Sequence, residues 1–159
     1  MIHLHIPELM PDEFILGYLG RIGAANGIRR ESELRSVLRQ SYKRQNGLDS
    51  DGTLIEHLAR ATDLDTYHLA CHHTLIPLYR AVASHLHDHM HGEPGDFGLL
   101  SAHAPRLMRY DLQLCPDCIR EDINYLGFTF WRRSHQLPGI DWCQKHATAL
   151  HSICNQSDL

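Results

Sequence analysis

Four potential metal ligands at a repeated spacing constrain the fold of this chain more than any other feature. Cys115 and Cys118 form a C-x2-C pair, and Cys143 and His146 form a C-x2-H pair after 24 intervening residues. Tetrahedral zinc in proteins binds thiolate sulfur and imidazole nitrogen, and each short turn aims two such ligands at one point. The sequence therefore predicts that one Zn2+ ion joins two distant turns and fixes how the C-terminal part folds.

The sequence leaves two alternatives to this set of four zinc ligands. The C-x2-C pair is also compatible with a redox couple, which normally lies between a strand and a helix of a thioredoxin-like fold. The sequence shows no such setting, and a redox couple leaves Cys143 and His146 without a role. His135 is an alternative fourth ligand, but the repeated spacing favours His146. Cys71 and Cys154 are predicted to be unligated, and an odd total of five cysteines argues against a secreted disulfide framework.

Four protein ligands leave no coordination position for water, so the predicted ion is structural and the chain is predicted not to be an enzyme. A zinc hydrolase is the enzyme alternative, and it requires an open metal position and a general base.

In small zinc peptides the ion contributes about 10–16 kcal/mol of apparent folding free energy. A segment of about 45 residues needs that contribution, because it has too little apolar core to fold alone.

Short strands are predicted around the ligands. Alternation of apolar and polar residues over 110–114 predicts a strand that leads into Cys115. The runs 128–133 and 140–142 are also strand-like, and a Pro-Gly dipeptide marks the turn between them. These features predict a small α+β zinc-finger domain, zinc-ribbon-like, over residues 105–159.

Two tryptophans and two arginines lie between the predicted ligand pairs. Trp131 and Trp142 are predicted to cover the zinc-binding turns as a small apolar core. Arg132 and Arg133 directly follow Trp131, and an exposed aromatic ring beside guanidinium groups can stack on and neutralise nucleic acid. The two arginines are therefore candidate contacts to a partner or to nucleic acid.

A mainly α-helical domain is predicted over residues 1–104. Its first helix is predicted to start at Pro11, because proline and the acidic residues after it suit a first turn, and to end at Gly27. A second helix is predicted over 32–43, capped by Ser32. The apolar stripe of the first helix consists of Phe14, Ile15, Tyr18, Leu19, Ile22 and Ala25.

A helix-turn-helix follows in the sequence. Thr53 and Glu56 form a T-x-x-E capping box for one helix, and Asp65 is the predicted N-cap of a second helix over 66–73. In a DNA-binding motif the second helix contacts base edges. The candidate contact residues on it are Thr66, Tyr67, His68, His72 and His73. Because this helix contains no arginine or lysine, we expect it to bind a protein in preference to DNA.

Charge and hydropathy limit the classes of function. The formal net charge of −4 gives no support to non-specific nucleic-acid binding. No apolar run approaches the roughly 20 residues that span a bilayer, and the N-terminus does not resemble a secretory signal, so a cytoplasmic location is predicted. Basic residues do gather locally, at Arg29, Arg30, Arg35, Arg39, Lys43 and Arg44.

Histidines outside the predicted zinc site are expected to have no special role. His57 and His103 are predicted to lie on the surface. An alternating run is predicted to form a solvated loop, with an adventitious metal site as the alternative. Its members are His85, His87, His89 and His91.

Four stretches resemble, in this order, the TniQ family of transposition proteins. They are "PDEFILGYLGRIGAANG", "LIEHLARATDLDTYHLACHHTL", "RYDLQLCPDCIRED" and "WRRSHQLPGIDWCQKHATAL". The resemblance implies an N-terminal helical region with a helix-turn-helix and a C-terminal zinc finger. It also implies target selection in bacterial transposons, by linking a target-recognising component to the AAA+ regulator that recruits the transposase. That component is target DNA itself or an RNA-guided CRISPR effector, and some members act as dimers.

The predicted zinc ligands Cys115, Cys118, Cys143 and His146 match the ligands of that family. Gln144 and Ala147 stand where proline and glycine are usual around the C-x2-H pair, and a second metal-binding turn beyond Cys154 is incomplete. The predicted function is that of a non-enzymatic transposition adaptor. A helix-turn-helix transcriptional regulator with a structural zinc site is the alternative.

Overall fold

A computed structural model describes residues 4–46, 53–82 and 111–153. Among the described residues, the N-terminal part contains the helices α1 (Ile15–Ala25), α2 (Glu31–Asn46), α3 (Leu54–Thr62), α4 (Thr66–His73) and α5 (Ile76–Val82). The C-terminal part contains β1 (Leu112–Leu114), α6 (Pro116–Leu126), a 3₁₀ helix (Arg133–Gln136) and β2 (His151–Ile153). β1 and β2 pair antiparallel, with Gln113 opposite Ser152. The mostly helical fold with a small α+β C-terminal region is the fold class that the sequence predicted.

The helical part has one apolar core. The buried members come from helices α1 to α5 and the turns between them: Phe14, Ile15, Tyr18, Leu19, Ile22, Leu34, Leu38, Ile55, Leu58, Ala59, Leu69, Ala70, Leu75 and Ile76. The predicted helix-turn-helix is present as α3, a short turn and α4. Its caps are also present, since the Thr53 hydroxyl accepts a hydrogen bond from the Glu56 N–H and the Asp65 carboxylate accepts one from the His68 N–H.

The predicted start of the first helix at Pro11 is wrong, because α1 begins at Ile15. The preceding residues hydrogen-bond to the C-terminal part instead of forming a helical turn. The Phe14 N–H donates to the Trp131 carbonyl at 2.6 Å, and Glu13 forms an isolated β-bridge with Arg132. The other end agrees with the prediction, since Gly27 has a φ of +69°.

Three further predictions need correction. The second helix begins at Glu31, so Ser32 lies within it. The strand-like runs 128–133 and 140–142 form only single bridges, because the first continues directly into the 3₁₀ helix. His57 is buried, since it lies on the inner side of α3. The histidines of 85–91, His103, Cys154 and the division at residue 104 lie outside the described residues.

Within the described residues, every helix is too short or too polar to cross a membrane.

Candidate metal centre

The first two ligands lie where a strand passes into a helix. Cys115 directly follows β1 and is the N-cap of α6, and Pro116 and Cys118 both lie in the first turn of that helix. The expectation that the C-x2-C pair lacks a strand-to-helix setting is therefore wrong. The setting alone does not make the pair a redox couple, because two more ligands from a distant turn close on it.

The other two ligands lie on a tight turn that its own backbone closes. The Ala147 N–H donates to the Cys143 carbonyl, and the Cys143 N–H donates to the Thr148 carbonyl, both at 2.8 Å. Ala147 has a φ of +51°, a left-handed conformation that glycine adopts without steric penalty. The resemblance implies glycine at this position, and in this chain alanine adopts the left-handed conformation.

The four ligand atoms converge as a tetrahedral ion requires. The His146 Nδ1 lies 3.5 Å from the Cys115 Sγ, 3.4 Å from the Cys118 Sγ and 3.6 Å from the Cys143 Sγ, and the Sγ atoms of Cys118 and Cys143 lie 3.7 Å apart. Zinc bond lengths of about 2.3 Å to sulfur and about 2.0–2.1 Å to nitrogen imply edges of about 3.6 Å (S–N) and 3.8 Å (S–S). These four distances are close to the ideal edges, and all four ligand atoms lie within 4.8 Å of one another, so the cluster could hold a metal ion. His135 is not part of it.

The ligand histidine is oriented by a carboxylate. Its Nε2 lies 3.0 Å from the Glu121 Oε1, which fixes the tautomer that leaves Nδ1 free to bind the ion. Glu121 also accepts a hydrogen bond from the Lys145 ammonium. Lys145 first, and His146 second, lower the pKa of Glu121 to about 2, so this carboxylate stays charged and remains an acceptor.

The thiols of the cluster are buried and close to each other. Burial, together with the neighbouring Cys143 and Cys115, raises the pKa of Cys118 to about 12. A thiol in this environment becomes a thiolate when a cation lies beside it, so metal binding must release protons and strengthen as the pH rises.

The candidate contact residues of α4 differ in exposure. Tyr67, His68 and His72 are exposed and Thr66 is half-buried. His73 is buried, with its Nδ1 2.8 Å from the Glu13 carbonyl. The inclusion of His73 among residues that contact a partner is therefore wrong, because it packs between α4 and the segment before α1.

The two candidate arginines have partners within the molecule. Arg132 donates to both carboxylate oxygens of Asp122, each at 2.7 Å, and only 19% of its side chain is exposed. The Arg133 Nε donates to the Thr74 carbonyl at 2.6 Å, at the end of α4. The first contact holds Arg132 on α6 within the C-terminal part, and the second connects that part to the helix-turn-helix.

The predicted roles of the tryptophans are wrong. Trp131 packs against the core of the helical part and over the backbone of Gly17. Trp142 is 62% exposed. Among the described residues, Leu150 is the apolar side chain that packs against the three cysteines.

Several residues that support the site were missed at the sequence level. Asp122 holds Arg132, and the Gln136 side chain bonds both the N–H and the carbonyl of Gln113 at 3.0 and 2.9 Å. The Asp12 carboxylate accepts from the N–H and hydroxyl of Ser134 at the start of the 3₁₀ helix. Asp122 and Gln136 stand in the "CPDCIRED" and "HQLPG" stretches, so their place in those motifs was the available signal.

The fold and the site define a helix-turn-helix protein with a Cys3His cluster that could hold a metal ion. The sequence model of the TniQ family matches residues 4–150, and the chain belongs to that family. It is also similar to the transposon Tn7 transposition protein TnsD of Escherichia coli, with 28% identity over 155 residues. The match covers 89% of this chain and 30% of that relative, so the chain spans about a third of the relative's length.

Proposed function

We propose that this chain is a non-enzymatic adaptor in DNA transposition, which links a target-recognition complex to an AAA+ regulator and, through it, to the transposase. The family match over residues 4–150 carries the proposal, because it includes both the helix-turn-helix and the metal-binding module. The relative TnsD is named as a transposition protein. The target-recognition complex is bound to target DNA or is an RNA-guided effector.

We propose that the ion is one structural Zn2+. Three thiolates and one imidazole at tetrahedral spacing are a donor set that zinc prefers, and four protein ligands close the coordination shell. The ion supplies folding free energy and needs no step of chemistry. We also propose that the chain divides into two functional parts, residues 1–104 and residues 105–159.

The partner surface of the adaptor is proposed to include the outer side of α4. Tyr67, His68 and His72 are exposed there, and this helix contains no arginine or lysine for phosphate contacts. Arg132 and Arg133 are proposed to support the partner surface without contacting the partner. Their guanidinium groups already bond to Asp122 and to the Thr74 carbonyl.

A bridging experiment tests this proposal. The target-recognition component is immobilised, and retention of the AAA+ regulator is measured with and without the zinc-loaded full chain. We expect retention only in the presence of the chain, reduced by the double substitution of His68 and His72 to alanine. The substitution Glu33→Ala, at an exposed position on α2, is the matched control. Equal retention without the chain would refute the adaptor role.

The same preparation examines the transcriptional-regulator alternative. The zinc-loaded chain alone is titrated against a pool of random duplex DNA in a gel-shift selection. Enrichment of one sequence, with binding that weakens steeply as salt rises, would support a regulator. The adaptor proposal expects no such enrichment by the chain alone.

A further inference from the structure

A groove with a volume of about 320 Å³ lies where α1, the turn before α2 and Trp131 meet. Its floor is made of Leu19, Gly23 and Leu34, and its walls of Leu16, Ile28 and Trp131. Pockets that bind ligands in proteins range from about 300 to 1,000 Å³. The size therefore suits one or two side chains of another molecule and is small for a large cofactor.

The groove is open because glycine replaces side chains on this side of α1. A Cβ built at Gly20 meets no atom within 4 Å. Leu16 is partly exposed beside it, with 36% of its surface accessible. Glycine in a helix interior is less favourable than alanine by about 0.5–1 kcal/mol. Gly20 therefore keeps the apolar surface of the groove accessible at a cost in helix stability.

The rim of the groove is positively charged. Arg29 and Arg30 line it and are exposed, and neither makes an ion pair among the described residues. The third charged residue of the rim, Glu31, is neutralised by Arg35, whose Nε lies 2.7 Å from its carboxylate. Two unpaired cations beside an apolar groove contrast with the net charge of −4 for the whole chain.

We propose that this groove binds a short segment of a partner protein that inserts a large apolar side chain and places carboxylates against Arg29 and Arg30. The apolar floor favours a hydrocarbon or aromatic side chain at depth, and the rim favours acidic neighbours. Nucleic acid fits less well, because a site of two cations on an acidic chain provides few phosphate contacts. The inference rests on the groove alone and does not depend on a role in transposition.

The occupant also contacts the metal-binding part through one wall of the groove. Trp131 belongs to the segment that hydrogen-bonds to Phe14 and leads into Arg132, the partner of Asp122 on α6. The partner segment therefore binds both parts of the molecule at once.

A peptide selection tests this proposal. Random 12-residue peptides displayed on phage are selected against the zinc-loaded full chain, and enriched sequences are synthesised with a fluorescent label for anisotropy titrations. Gly20→Trp fills the groove, and Gly20→Ala is its matched control. Arg29→Glu with Arg30→Glu reverses the rim charge, and the double substitution to lysine preserves it.

The expected result is a consensus of one or two large apolar residues flanked by Asp or Glu. Binding should weaken on the order of tenfold or more in the tryptophan and glutamate variants, and by less than about threefold in the alanine and lysine variants. It should also weaken as salt rises. Three outcomes overturn the proposal: no enriched consensus, a consensus without acidic residues, or unchanged affinity in Gly20→Trp. Displacement of the peptide by a duplex oligonucleotide would assign the groove to nucleic acid and would also overturn it.

Discussion

The two parts of this molecule are stabilised by different means. The helical part buries an apolar core that runs from Phe14 to Ile76, whereas the C-terminal part buries three cysteines with Leu150 packed against them. Apolar burial contributes about 25 cal/mol per Å² and is distributed over many side chains. A metal site instead concentrates its contribution in four ligands. Single substitutions in the helical part should therefore reduce stability in proportion to the side-chain volume removed. Loss of any one ligand should unfold the whole C-terminal part.

The largest effect is expected from Cys118→Ser. Loss of one of four ligands should release the ion and unfold residues 111–153, because this part has little other core. Residues 4–46 should stay protected, although the contacts of Arg133 and Trp131 with them are lost. Metal content by elemental analysis and hydrogen exchange of each part measure this. Cys71→Ser, outside the cluster, is the control, and stoichiometric zinc in Cys118→Ser would show that the ligand assignment is wrong.

A graded effect is expected from Leu58→Ala in the core of the helical part. Leu58 has 0% of its surface exposed, and such truncations cost about 2–5 kcal/mol. Chemical denaturation should show this loss, and the metal stoichiometry should remain at one ion per chain. If the variant also loses its zinc under native conditions, the two parts fold as one unit and the contrast between them is wrong.

A smaller effect is expected from a pair of glycine substitutions on α1. A Cβ at Gly23 would lie 2.8 Å from the Ile28 carbonyl oxygen, whereas one at Gly20 meets no atom within 4 Å. Gly23→Ala should therefore destabilise the helical part by about 1–3 kcal/mol through overpacking, and Gly20→Ala should stabilise it by about 0.5–1 kcal/mol. Thermal denaturation of the zinc-loaded chain measures both, and equal shifts for the two variants would contradict the packing of the turn before α2.

The contrast between the two parts also explains what the sequence could predict. Caps and ligands were predictable because they are local: the Thr53 capping box, the Asp65 N-cap and the C-x2-C and C-x2-H pairs are each read within a few residues. Helix α6 was missed although Pro116 begins it and Gly127, with a φ of +78°, ends it. Its buried residues are Cys118 and Asp122, whereas the apolar residues at helical spacing, Ile119, Ile123 and Leu126, are half-buried or exposed.

The errors that remain concern contacts between residues far apart in the chain. The segment before α1 turns at Asp12, which has a φ of +58°. Its backbone then bonds to Trp131 and Arg133, and no local pattern encodes that pairing. The same holds for Trp131, whose environment is the helical core and not the metal-binding turns. His57 was likewise predicted to lie on the surface but is buried.

A pH-dependent loss of stability is expected from His73, which contacts the carbonyl of Glu13 in the segment before α1. Burial lowers its pKa below the ordinary value of 6.5. The unfolded chain therefore binds a proton first as the pH falls, and stability decreases from about pH 6.5 downwards until the folded pKa is reached, by up to about 1.4 kcal/mol per pH unit. Denaturation with saturating zinc at pH 7.5 and 5.5 should show a smaller loss for His73→Asn. An unchanged loss in the variant would exclude His73 as the titrating group.

The smallest effect is expected from Ala147→Gly, in the turn that carries Cys143 and His146. Ala147 holds a φ of +51° in the turn between Cys143 and Thr148, and glycine relieves a strain of about 1 kcal/mol there. Because this turn presents Cys143 and His146 to the ion, the gain should appear as metal binding tighter by up to about fivefold. Competition with a chromophoric chelator measures this affinity, and Ala147→Val, which a left-handed conformation disfavours further, should weaken it. If glycine leaves the affinity unchanged while valine lowers it, the alanine turn is unstrained and side-chain bulk alone limits this position.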